Sequence, residues 1–286
     1  MSTNIDYQYY GEYPRANRRT PVDITQRVEQ DHFASLFEAI EDDCNIELYG
    51  YKIGDYFESP NVHSVTYDNS SSGGGTDTNC KFTYWLADPD TYYGGYNANA
   101  VIDAHHLAIV VDCKTNKRWN DGTFTGYEAS RLHAWLKSSE CLAAIKEDIG
   151  YILTGSSGQG TTGGAHLAEH SKLFSKYASN AFTWGWSTNP EQISALTEMD
   201  IYGAPVWSGT DMISNLPQDR FQQGEAIKQL EIFRKYRFNR LFGNKSIWLR
   251  SNRDASSACH AASTGNAGYS AFSNARGAVG LILLKA

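Results

Sequence analysis

The chain has 286 residues, of which 41% are hydrophobic, with 18 Tyr, 7 Trp and 25 Gly. That is enough apolar material for a sizeable core, and it suits sheets, irregular loops and aromatic contact surfaces better than a helical bundle. A net charge of −7 sets the molecule against nucleic-acid phosphates, and no stretch is long and apolar enough to insert in a membrane.

Met1-Ser2-Thr3-Asn4-Ile5-Asp6-Tyr7 lacks the basic-then-apolar pattern of a signal peptide, so synthesis and folding in a cytoplasm are expected. Cys44, Cys80, Cys113, Cys141 and Cys259 form an odd set with no Cys-x-x-Cys pair. They read as reduced, mostly buried thiols, with neither a disulfide framework nor a structural zinc site.

Residues 1–21 are polar, aromatic and basic, and read as an extended arm that is either disordered or ordered by docking. Tyr9, Tyr10, Tyr13 and Arg18 are its candidate docking residues on a neighbouring subunit. From Asp23, a candidate N-cap, Ile24, Val28, Phe33, Leu36, Phe37 and Ile40 recur at helical spacing and predict one amphipathic helix. Residues 46–53 alternate and predict a strand ending in a turn at Gly54-Asp55. Residues 69–79, with Ser70-Ser71-Ser72-Gly73-Gly74-Gly75, read as a flexible linker that separates an attachment region over 22–79 from a domain over 80–286.

Strands are predicted over 81–86 and 105–112, followed by a helix over 126–137 and a second from Ser139 burying Leu142, Ile145 and Ile149. Residues 155–164 read as a glycine loop without the Gly-Lys-Ser/Thr of a phosphate-binding loop, and 182–186 as a short aromatic strand. A last helix is expected over about 224–236. Strands at 246–251 and 278–284 close the chain, the second apolar enough to be buried on both faces. Between them residues 255–274, rich in Ser, Ala, Gly and Asn, read as adaptable surface.

The closing motifs carry a resemblance. Trp248-Leu249-Arg250-Ser251, then small polar residues, then Arg276-Gly277-Ala278-Val279-Gly280 and an apolar strand, resemble the end of a C-type-lectin-like domain. The version in question is that of phage tail and fibre proteins, such as the major tropism determinants. Residues 104–112 resemble an early strand of such domains, Ser130-Arg131-Leu132-His133-Ala134-Trp135-Leu136 the helix that follows, and residues 196–203 the segment before the closing strands. The resemblance covers roughly residues 99–286. It implies an α+β fold with mixed, mostly antiparallel sheets and two or three helices, preceded here by the arm and helix. It also implies a virion protein assembled in the host cytoplasm. Its recognition surface would lie on residues 255–274, with His260, Asn266, Tyr269 and Asn274 as contacts to a host-cell glycan or protein, or to another virion protein.

Other chemistries are poorly supported. Trp119-Asn120-Asp121 imitates a lectin calcium triplet but lacks its partner loop and reads as a turn. His105-His106 point to opposite faces of a strand. His166, Glu169 and His170 have zinc-like spacing without a third ligand, which leaves a metal-dependent hydrolase as an alternative. No Gly-x-Ser-x-Gly elbow is present, and Cys259 is the only C-terminal cysteine, against the paired cysteines of the lectin-like formylglycine-generating enzymes. No catalytic residue, metal or cofactor is therefore expected. The basic, aromatic run holding Arg234, Arg237 and Arg240 suits a subunit boundary in a homo-oligomer. A purely structural decoration or connector protein is the other reading.

Overall fold

The structure, a computed structural model, describes residues 20–70, 73–91, 102, 104–121, 126–169, 174–177, 183–186, 191–203 and 229–286. It is a mixed α+β protein with mostly antiparallel sheets and short helices. Among the described residues no helix is long and apolar enough to cross a membrane.

The expected N-terminal helix is two helices, α1 (Thr25–Gln30) and α2 (Ala34–Glu41). The break falls at His32 and Phe33, whose φ values of 53° and 63° are left-handed. Such a backbone costs a bulky residue on the order of 1 kcal/mol. Burial of the Phe33 ring offsets it: the ring stacks 5.7 Å from Phe37 and meets Phe57 edge-on at 5.4 Å. Residues 46–53 do not form the expected strand. They run as turns in which Ile46, Tyr51 and Ile53 are buried while Leu48 is 75% exposed, so the burial does not follow the alternation that suggested a strand.

Four strands follow: β1 (Tyr56–Glu58), β2 (His63–Asp68), β3 (Gly74–Cys80) and β4 (Thr83–Pro89). The stretch expected as a linker is largely β3, paired antiparallel with β2. Gly74 is needed there, because a Cβ would stand 2.1 Å from the Tyr67 carbonyl oxygen. The buried cluster runs across the boundary at 79/80: Val28, Phe33, Leu36, Phe57 and Val65 share it with β4 and the strands below.

The main sheet is built on β5 (Leu107–Arg118) and β12 (Ala275–Leu284), zipped antiparallel with Ile109 opposite Ile282 and Val110 opposite Leu281. Its order is β1-β4-β5-β12-β9-β10-β11, with the two-residue β8 (Ser194–Ala195) also on β12. Gly280 interrupts the apolar run of β12 for a steric reason. A Cβ there would lie 2.6 Å from Ile193 Cδ1 and 3.8 Å from Leu136 Cδ2, so the glycine lets neighbours press onto the strand. β9 (Ile247–Asn252) meets β12 in parallel at Ile247 and Gly277. Residues 255–274 are not loose surface: they hold the hairpin β10 (Ser257–Ala261) and β11 (Ala267–Ala271), added antiparallel to β9. β6 (Phe174–Tyr177) and β7 (Thr183–Trp186) form a separate two-stranded sheet.

Between β5 and the closing strands come α3 (Arg131–Leu136), a π-turn over Ser139–Ala143, and α4 (Ala144–Thr154). The Ser130 hydroxyl caps α3 by accepting the His133 N–H at 3.1 Å, and Leu132, Trp135 and Leu136 are its buried face. The glycine stretch expected as a loop is partly α5 (Gly160–Ala165), seated on α4 so closely that a Cβ on Gly163 would meet the Lys146 carbonyl oxygen at 1.9 Å. α6 (Glu198–Tyr202), α7 (Glu231–Lys235) and α8 (Phe238–Phe242) complete the helices. The last predicted helix is thus short within the described residues, broken before Phe238.

Candidate functional site

The β9–β12 region places the predicted recognition residues. Pairing puts His260 opposite both Trp248 on β9 and Gly268 on β11, all on one face. Gly268 is required, because a Cβ would stand 2.8 Å from His260 Cε1 and Nε2; its absence lets the imidazole lie across β11. The Trp248 indole is fixed by donating to the Lys117 carbonyl at 2.7 Å and meets the His260 ring edge-on at 6.1 Å. The Arg276 guanidinium sits over the Trp248 ring, 5.4 Å from its centroid.

Two polar atoms on this face are orphans. His260 Nδ1 and Arg276 Nε are buried and have no hydrogen-bond partner among the described residues. No carboxylate among the described residues pairs with Arg276. Burial and the adjacent Arg276 charge push the His260 pKa down to about 4, and burial also lowers that of Arg276. The ring is therefore neutral at pH 7, and among the described residues the Arg276 charge on this face has no counter-charge.

The four predicted contacts separate. His260 is 8% exposed, so it belongs to the floor and not to the open surface. Asn274 is half-buried at the rim, its amide donating to the Ser270 hydroxyl. Asn266 is exposed in the β10–β11 turn. Tyr269 is 41% exposed but lies on the opposite face, with the Arg253 guanidinium 3.5 Å from its ring centroid. Sequence reasoning missed Arg276. The available signal was an arginine at the mouth of a buried strand without an acidic neighbour.

On the helix side lies a buried polar chain that the sequence also left unread. Arg250, fully buried, reaches Glu191 at 3.4 Å, and Glu191 accepts from His133 Nε2 at 2.7 Å. His133 Nδ1 meets the Glu128 carbonyl at 2.7 Å, and the Arg250 guanidinium stacks over Tyr127, 4.5 Å from the ring centroid. The chain braces β9 to α3.

His166 stacks on Phe37 at 4.7 Å and Glu169 is exposed, while His170 lies outside the described residues. Among the described residues no group of three His, Cys, Asp or Glu side chains is placed to hold a metal. His105 is held by Asp90 at 2.7 Å and Asp43 at 3.2 Å, whereas His106 is fully buried. Asp121 of the Trp-Asn-Asp triplet is occupied by Arg118 at 3.1 Å and Arg131 at 3.4 Å. The five cysteines are free and buried.

Of the predicted interface residues, Tyr9, Tyr10, Tyr13 and Arg18 lie outside the described residues, and Arg234, Arg237 and Arg240 are exposed on and between α7 and α8. Comparison with protein-family models, curated proteins and solved structures finds no match.

Proposed function

We propose that this chain is a non-enzymatic bacteriophage virion protein, a tail, baseplate or head-fibre component. In this reading its C-terminal part is a C-type-lectin-like domain that holds a host-cell receptor or a neighbouring virion protein. The observation that carries it is the order of pairing. The early strand β5 is closed by the last strand β12, α3 and α4 intervene, and β9, β10 and β11 extend the sheet beyond β12. That arrangement suits the resemblance traced in the sequence, and its outermost hairpin displays Asn266 and Tyr269 to solvent. Binding in this reading rests on shape and polar contacts. The exposed Arg234, Arg237 and Arg240 favour a second reading, in which the same fold serves only as a connector between virion subunits.

Two measurements test the proposal. Mass spectrometry of purified phage particles made by the source strain should find the chain in fixed stoichiometry; its absence from particles overturns the virion assignment. The purified full chain should also bind cells of the susceptible bacterium saturably. Binding to particles but not to cells would select the connector reading.

A further inference from the structure

We infer that the niche formed by Trp248, His260 and Arg276, with Ser270 and Asn274 at its rim, binds the carboxylate of an acidic saccharide. This rests on reading the face as a binding surface, though not on the particle to which the chain belongs.

A buried hydrogen-bonding atom without a partner is uncommon in a folded protein, because its lost hydration is uncompensated. Here two such atoms, His260 Nδ1 and Arg276 Nε, occur on one face of one sheet, on side chains already fixed by Trp248 and Gly268. His260 is more than nine-tenths buried. An anion supplies an oxygen acceptor and a counter-charge for the Arg276 guanidinium, and a second acceptor for His260 in the tautomer that carries its proton on Nδ1.

The charge count selects the class of anion. The imidazole is neutral near pH 7, so a single cation faces the ligand, matching a monoanionic carboxylate better than a phosphate dianion. An arginine fork also fits a planar carboxylate bidentately. The rim selects what carries it. Ser270 and Asn274 offer hydroxyl and amide groups. Among the described residues the nearest exposed large apolar side chain in sequence, Tyr269, is on the other face, while Val22, Leu48, Val62 and Tyr67 lie in other elements. A protein partner would need an apolar anchor at the centre of its contact, and among the described residues this face offers none. A sugar needs hydrogen-bonding groups around its charge.

The test is a titration of the isotope-labelled full chain followed by NMR at the His260 imidazole, with glucuronic acid, glucose, acetate and inorganic phosphate as separate probes. Glucuronic acid should shift the His260 resonances saturably, glucose should leave them unmoved, and acetate should bind about tenfold or more weakly. R276Q should lose about tenfold or more of the glucuronate affinity, R276K should fall between it and wild type, and R234Q should match wild type. The wild-type titration stands on its own if R276Q fails to fold. The inference is overturned if glucuronate leaves His260 unmoved, if acetate or phosphate binds as tightly as glucuronate, or if R276Q binds like wild type. Failure here leaves the virion reading standing where cells still bind the chain. Glucuronate binding by a chain that ignores cells would sink the adhesin and keep the niche.

Discussion

Asp148 on α4 is fully buried and accepts from Asn61 Nδ2 at 3.0 Å, His63 Nε2 at 2.8 Å and the Tyr84 hydroxyl at 2.7 Å. Three donors, from β4, from β2 and from the segment entering β2, thus converge on one carboxylate. D148A strands all of them and should destabilise the protein by about 3 kcal/mol, whereas Y84F removes one bond and should cost about 1 kcal/mol. Urea midpoints at unchanged slope measure both.

Asp68 and Glu140 make a related tie. Burial alone would raise their pKa values. The Arg118 N–H at 2.9 Å and Arg131 at 2.7 Å outweigh it at Asp68, and Thr66 and Trp135 outweigh it at Glu140, so both carboxyls titrate below their ordinary range. Their stabilisation is present above the unfolded carboxyl range near pH 4 and disappears as pH falls through the depressed folded values. D68N should therefore be less stable than wild type at pH 7, with the difference closing below about pH 4. His260 titrates in the adjoining window. Its folded pKa of about 4 lies below the unfolded one, so its contribution is whole above about pH 6.5 and falls toward pH 4. H260Q should flatten the stability profile there, as read from urea midpoints across pH.

At the scale of elements, the contact between α4 and α5 shows two effects opposed. Alanine is a better helix former than glycine by about 1 kcal/mol. At Gly163, however, a Cβ would meet the Lys146 carbonyl oxygen at 1.9 Å and the Gly150 nitrogen at 2.5 Å, both backbone atoms that cannot swing aside. At Gly164 it would meet only the Lys146 side chain, at 3.1 Å. G163A should thus destabilise by about 1–3 kcal/mol, and G164A should be neutral or slightly stabilising. Equal thermal midpoints for the two variants would contradict the packing.

The same contact explains part of what the sequence hid. Residues 155–164 have the composition of a loop, and α5 exists because glycines permit close docking on α4, a tertiary cause without a local signature. β10 escaped for a related reason: buried on both faces, its Ser, Ala and Cys side chains show no alternation. β9, β12, α3 and α4 were legible because long apolar side chains mark one face or two. Of the candidate site, His260 and Asn274 could be named from the sequence but their burial could not, since that of His260 depends on register across Gly268.

For the whole molecule, one buried cluster joins the N-terminal helices to the sheet. His32 Nδ1 donating to the Ile152 carbonyl at 2.6 Å and Glu231 N–H donating to Asp88 at 3.0 Å tie distant parts of the chain. The β9–β12 face is thereby held on a continuous scaffold, as a surface of fixed shape needs. The claim at the centre of this account is that this face is where a partner is gripped. The measurement that tests it most directly is hydrogen exchange of the full chain, alone and saturated with a glucuronate-containing acidic polysaccharide. Slowed exchange confined to the backbone of residues 247–277 is the predicted result. Unchanged exchange there, with protection appearing at α7 and α8 or in the N-terminal elements instead, would contradict it.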